Sequence, residues 1–191
     1  MVVAADGLAR CGWAGSDPEY LRYHDEEWGR PLHGDRPLFE KLVLEGFQAG
    51  LSWLTILRRR TAFRRAFAGF DIDAVAAFDD LDRGRLMADA TIIRNRAKIE
   101  AAIGNARVMR DLVADDPGAL DRLVWRFAPP PRTHPPASLA DLPATTAAST
   151  ALSAELKRHG LRFVGPTTMY ALMQSAGLVD DHVAGCWRAA A

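Results

Sequence analysis

The sequence predicts an all-α protein. Apolar residues recur at helical spacing in several segments, and no stretch of useful length alternates apolar and polar residues as a half-buried strand does. Punctuation agrees, since Ser, Asp or Thr repeatedly precedes a helical pattern, with proline close behind. A chain of 191 residues can bury one core or support two small lobes sharing a pocket, and a single helical domain over residues 1–191 is expected.

Ser16 or Asp17 with Pro18 opens a helix through about Trp28, and Asp35 with Pro37 begins the next. That second helix should stop near Gly50, and Ser52 caps a helix starting at Trp53. The run WLTILRRRTAFRRAFAGF reads as helical to Gly69, and Asp71 and Asp80 cap two short helices, the second ending near Asp89. Ala90 to Arg94 interrupts the pattern before a helix periodic in Ile99, Ala102, Ile103, Ala106, Met109 and Val113. Residues 82–113 therefore read as two helices around a tight hairpin. Asp116 with Pro117 starts a helix through Trp125 and Phe127, and Pro129 to Ala144 is a long loop. Thr146 or Ser149 caps a helix to His159, Gly160 ends it, and a last helix runs to about Ala176.

Bulk properties exclude several classes. No apolar run is long enough to span a bilayer, and the N-terminal MVVAADGLAR lacks the apolar core of a signal peptide. Two cysteines far apart give no disulfide framework and suit a reducing compartment, so a cytoplasmic protein is expected. The formal net charge of zero does not by itself announce a polyanionic partner, although basic residues cluster at Arg58 to Arg65, Arg94 to Lys98 and Lys157 to Arg162. Each cluster also reads as a solvated helix face.

Three constellations carry chemistry. In LVLEGFQAGLSWL, Glu45 shares an apolar stripe with Leu38, Leu42 and Ala49, where a carboxylate needs a partner. The plain alternative is a glutamate at the stripe edge reaching water or an arginine. Nearby in sequence are Trp13, Tyr20, Tyr23, Trp28 and Trp53, which read either as core or as the wall of a site for a planar, polar or cationic guest such as an alkylated nucleobase. His182 and Cys186 stand at i, i+4 and would share a face if that turn is helical, while Cys11 and His24 form a second pair. Two cysteines and two histidines make a closed tetrahedral zinc set that clips the chain ends, unless they are ordinary buried thiols and surface imidazoles. Finally, Arg94, Arg96 and Lys98 beside the start of a helix make a phosphate-holding corner.

The stretches RCGWAGSDPEYLRYHDEEWG, LFEKLVLEGFQAGLSWLTIL, IIRNRAKIEAAIGNAR and LKRHGLRFVGPTTMYALMQSAGLVDDHVAGC, in this order and over nearly the whole chain, resemble the 3-methyladenine DNA glycosylase I family of the helix-hairpin-helix superfamily. The resemblance implies a monomeric, monofunctional glycosylase acting on alkylated double-stranded DNA, with no lyase activity and no membrane attachment. It implies zinc on Cys11, His24, His182 and Cys186, and a base pocket of Glu45, Tyr20, Tyr23, Trp28 and Trp53, with Glu45 catalytic. It implies further that Leu51 fills the gap left by an extruded nucleotide. One residue departs from the pattern: Thr91 stands where the family hairpin usually has glycine, and threonine disfavours positive φ. A non-catalytic, zinc-stapled module recognising alkylated DNA is the alternative reading, and a helical interaction protein without a nucleic-acid role is a third.

Overall fold

The Glu45 helix is buried on nearly every side, and the other helices are arranged around it. The computed structural model describes residues 1–189. Its helices are α1 (Pro18–Glu26), α2 (Asp35–Gln48), α3 (Trp53–Leu57), α4 (Arg60–Ala66), α5 (Ile72–Ala76), α6 (Asp80–Ala88), α7 (Arg96–Val113), α8 (Ala119–Trp125), α9 (Ala147–Arg158) and α10 (Pro166–Ser175). α2 packs on α3, α7, α8 and α10, and α7 packs in turn on α5, α6 and α8. The expected all-α class is what the chain adopts. A two-residue ribbon, Val2↔Arg10 and Val3↔Ala9, is too short to leave a period in the sequence.

From Leu38 to Phe47 only Glu40 escapes full burial, so this helix is a core element rather than an amphipathic surface one. Trimming a fully buried leucine such as Leu44 to alanine is expected to cost about 2–5 kcal/mol. Gly46 has a packing reason: a Cβ there would stand 3.3 Å from Phe163 Cβ. Gly50 takes a φ of +83°, which turns the chain sharply between α2 and α3. Ser52 then caps α3, its Oγ accepting from the Thr55 amide at 3.3 Å.

Several boundaries differ from expectation for local reasons. α1 ends at Glu26 because the amides of Glu27 and Trp28 both donate to the Tyr23 carbonyl, which puts Trp28 in a turn. The arginine-rich run breaks into α3 and α4 at Arg58 and Arg59. Asp79, not Asp80, caps α6. α8 begins at Ala119 after the left-handed Gly118. Asp35 does not cap its own helix: it is the first residue of α2, and its carboxylate accepts from the amides of Gly118 at 2.6 Å and Asp121 at 3.0 Å, tying α8 to α2. No described helix is long and apolar enough to cross a membrane.

Candidate base pocket and candidate metal centre

The middle of α2, the aromatic face of α1, the start of α3 and the end of α10 enclose a cavity of about 180 Å³. Its walls are Trp13, Tyr20, Tyr23, Trp28, Glu45, Gln48, Trp53, Leu142, Ala171 and Gln174. All five residues expected in the pocket are therefore brought together. The rings pack on one another, with centroids 5.1 Å apart for Trp13 and Tyr20 and 5.4 Å for Tyr23 and Trp53. Trp53 Nε1 is buried without a hydrogen-bond partner, a donor left over in a cavity wall.

Glu45 is 3% exposed, which decides against the reading in which it reaches water. Its Oε1 accepts from Ser175 Oγ at 2.9 Å and lies 3.8 Å from Lys41 Nζ. Burial pushes its carboxyl upward, and Lys41 and Ser175 oppose that shift. Burial likewise pulls the Lys41 ammonium down to about 8. Neither partner is among the residues expected from sequence. Lys41 is visible there as the residue one turn before Glu45 on the same stripe, whereas no local signal links Ser175 to Glu45.

The second site joins the chain ends. Cys11, His24, His182 and Cys186 are all buried, with ligand atoms within 4.8 Å of one another. Cys186 Sγ lies 3.5 Å from His24 Nε2 and 3.6 Å from His182 Nδ1, and Cys11 Sγ lies 3.7 Å from His182 Nδ1. A tetrahedral zinc with ordinary bond lengths gives sulfur–nitrogen edges of about 3.6 Å. The donor set fits such an ion. Asp25 accepts from His24 Nδ1 at 2.8 Å and from Trp187 Nε1 at 3.0 Å, and is itself held by Arg10. Although burial works against it, Arg10, His24 and Trp187 hold the Asp25 carboxyl at about 2. The turn carrying His182 and Cys186 is not helical, so their spacing is set by a loop. Trp28 connects the two sites, since its ring packs edge-on against His182 at 4.7 Å while lining the cavity.

The expected DNA face is partly revised. Leu51 is 40% exposed at the tip of the α2–α3 corner. Arg94 and Arg96 are exposed at the α6–α7 hairpin, where Asn95 caps α7. Lys98 is buried instead: its Nζ donates to the carbonyls of Phe47 at 2.9 Å and Ala49 at 2.6 Å, closing the C-terminal end of α2. An ammonium so engaged is not available to a phosphate. Thr91 is not among the residues with positive φ, and its amide donates to Asp89 Oδ1 at 2.9 Å, so the hairpin closes without glycine. In the arginine cluster, Arg58, Arg60 and Arg64 pair with Asp17, Glu27 and Glu40.

Residues 13–189 match the family described as methyladenine glycosylase. The chain belongs to the methyladenine glycosylase family. Among relatives, it is 47% identical to DNA-3-methyladenine glycosylase 1 of Escherichia coli (strain K12), over 94% of this chain and 96% of that one. A crystal structure of 3-methyladenine DNA glycosylase I superposes with a TM-score of 0.90 at 44% identity, covering 94% of this chain and 99% of the other. A Tyr-to-Phe variant of a 3-methyladenine DNA glycosylase I, solved in complex with 3-methyladenine, superposes with a TM-score of 0.84 at 34% identity, covering 93% of this chain and 96% of the other.

Proposed function

We propose that the protein is a monofunctional DNA glycosylase that hydrolyses the N-glycosidic bond of 3-methyladenine in alkylated double-stranded DNA, as a step of base-excision repair. One observation carries this reading beyond family membership: a buried carboxylate, Glu45, faces an aromatic-walled cavity.

The chemistry follows from charge. Alkylation at N3 makes the base of the nucleotide cationic and a good leaving group, so the enzyme has less to supply than for a neutral base. Extruding the nucleotide costs a few kcal/mol and is cheapest where pairing is already damaged. Leu51 enters the vacated stack, and Arg94 and Arg96 hold backbone phosphates beside the hairpin. Residues 82–113, within α6 and α7 and the turn between them, are the helix-hairpin-helix element, and the two lobes on either side share the pocket. Trp53 stacks on the extruded base while Tyr20, Tyr23 and Trp28 form the remaining wall. Glu45 accepts hydrogen bonds from the adenine edge and complements its charge, and it steadies positive charge developing on the sugar as water attacks. Neutral adenine gains less from a carboxylate, which is the source of selectivity.

Zinc is the metal that two thiolates and two imidazoles suit best, and Cys11, His24, His182 and Cys186 hold it in a closed set whose part is structural. The same reading takes the enzyme as a cytoplasmic monomer. Incubation with methylated duplex DNA followed by chromatography of released bases tests the proposal: 3-methyladenine is the expected product. Salt-dependent binding without any release would replace it by the non-catalytic recognition module.

A further inference from the structure

Glu45 already has a resident cation. Lys41 precedes it by one turn of α2, and both side chains are buried. Lys41 Nζ donates to Tyr23 Oη at 2.8 Å and stands 4.2 Å from the centroid of the Trp53 ring and 4.9 Å from that of Tyr23. A second cavity, of about 340 Å³, lies beyond this wall. Trp53 lines both cavities, Glu45 lines the first, and Lys41 lines the second. The ammonium therefore sits behind the ring on which a guest would stack.

Lys41 is the one charge acting on Glu45, whereas Lys41 also feels Arg60, which favours loss of its proton, and Glu27 and Glu40, which help to hold it. Glu27, after α1, is paired with Arg60 of α4, and Glu40 of α2 is paired with Arg64. On the cavity side Glu45 is bonded by Ser175 of α10 and faces the phenols of Tyr20 and Tyr23 on α1, and the neutral side chains of Gln48, Gln174 and Trp53 complete the polar groups of the lining. With Lys41 protonated and Glu45 ionised, the pocket carries no net charge from this pair. A cationic base in front and an ammonium behind then compete for one carboxylate.

We propose that Lys41 is a positioning and specificity residue, which keeps Glu45 ionised in the empty pocket and gives up its proton as a cationic base takes its place. The inference rests on the base-binding reading of the cavity. Burial brings the Lys41 proton within reach of neutral pH, at about 8, and Lys41 is the largest influence opposing the upward shift of Glu45. Base excision therefore falls as pH drops through the Glu45 titration, because a protonated carboxyl loses its charge. Excision rises as pH passes about 8, where Lys41 becomes neutral and the pocket acquires net negative charge.

Two variants separate the parts. Lys41→Met removes the ammonium at similar volume, so the acid limb should move up by about one pH unit or more and the rise near pH 8 should vanish. Lys41→Arg keeps a permanent cation, so the acid limb should stay near its wild-type position while the rise is again lost. The experiment is the pH profile of kcat/KM for 3-methyladenine release by the three proteins. Alongside it, binding of the permanently cationic 3,9-dimethyladeninium is measured by calorimetry in two buffers of different ionisation enthalpy. Measured near pH 8, and above the acid limb that the pH profile gives for each protein, wild type should release part of a proton per cation bound, and both variants none. Superimposable pH profiles, or proton release unchanged by substitution, would overturn the proposal. The calorimetry needs no turnover, so an absence of base release by wild type would count against the glycosylase reading while the proton count still decides the role of Lys41. Should Lys41→Met fail to fold, the comparison of Lys41→Arg with wild type still decides between the two outcomes.

Discussion

Ser175 Oγ donates to Glu45 Oε1 at 2.9 Å, joining the end of α10 to the middle of α2 across 130 positions of sequence. A hydrogen bond to a buried charged acceptor is worth about 1.5–3 kcal/mol. Ser175→Ala should therefore lower single-turnover release of 3-methyladenine by about 10- to 100-fold, with DNA affinity unchanged by fluorescence anisotropy. Unaltered release would mean that Glu45 needs no orientation from α10.

The contact between Trp28 and His182 makes the candidate metal centre a support for the pocket wall. Cys186→Ser opens the ligand set at the chain end. We expect less than one zinc per chain by elemental analysis and an unfolding midpoint lower by about 10 °C in calorimetry. Release should fall as well, because Trp28 loses its backing.

Asp25 does not line the base pocket, yet it orients His24 through Nδ1. Replacing such an outer partner of a metal-bound histidine costs about 10- to 100-fold in affinity. Asp25→Asn should show this loss in competition with a chelator, while purified, metal-loaded protein keeps its activity. Unchanged zinc affinity would show that Arg10 and Trp187 suffice to order this corner.

Arg94 and Lys98 should separate DNA contact from architecture. Arg94→Ala should reduce the slope of log affinity against log salt by about 1, the signature of one lost phosphate contact. Lys98→Met should leave the slope unchanged and lower the unfolding midpoint, because it frees the carbonyls of Phe47 and Ala49. A lost phosphate contact in Lys98→Met would reverse the assignment.

Local chemistry made much of this fold legible. Ser52, Gly50 and Thr146 announce their turns and caps through their own side chains or lack of one, and the structure uses them accordingly. Asp35 shows where such reading fails, since its carboxylate serves a helix that begins more than eighty residues later. Lys98 fails for the same reason: a basic residue near a hairpin looks like a phosphate contact until the fold places two carbonyls in front of it. In the pocket, Glu45 and the aromatic residues were legible because an acid on an apolar stripe demands an explanation. Ser175 carries no such anomaly. Lys41 did carry one, a second charge on the same stripe one turn from the first, and the pair together signals a buried ion pair more strongly than either residue alone.

The central claim is that Glu45 serves base excision rather than folding or DNA affinity. Its most direct measurement is chromatography of bases released from methylated duplex DNA by wild type and by Glu45→Gln, with both proteins checked for equal DNA binding. The wild type should release 3-methyladenine and the variant should release little at the same occupancy. Equal release by both proteins would contradict the claim and remove Glu45 from the mechanism.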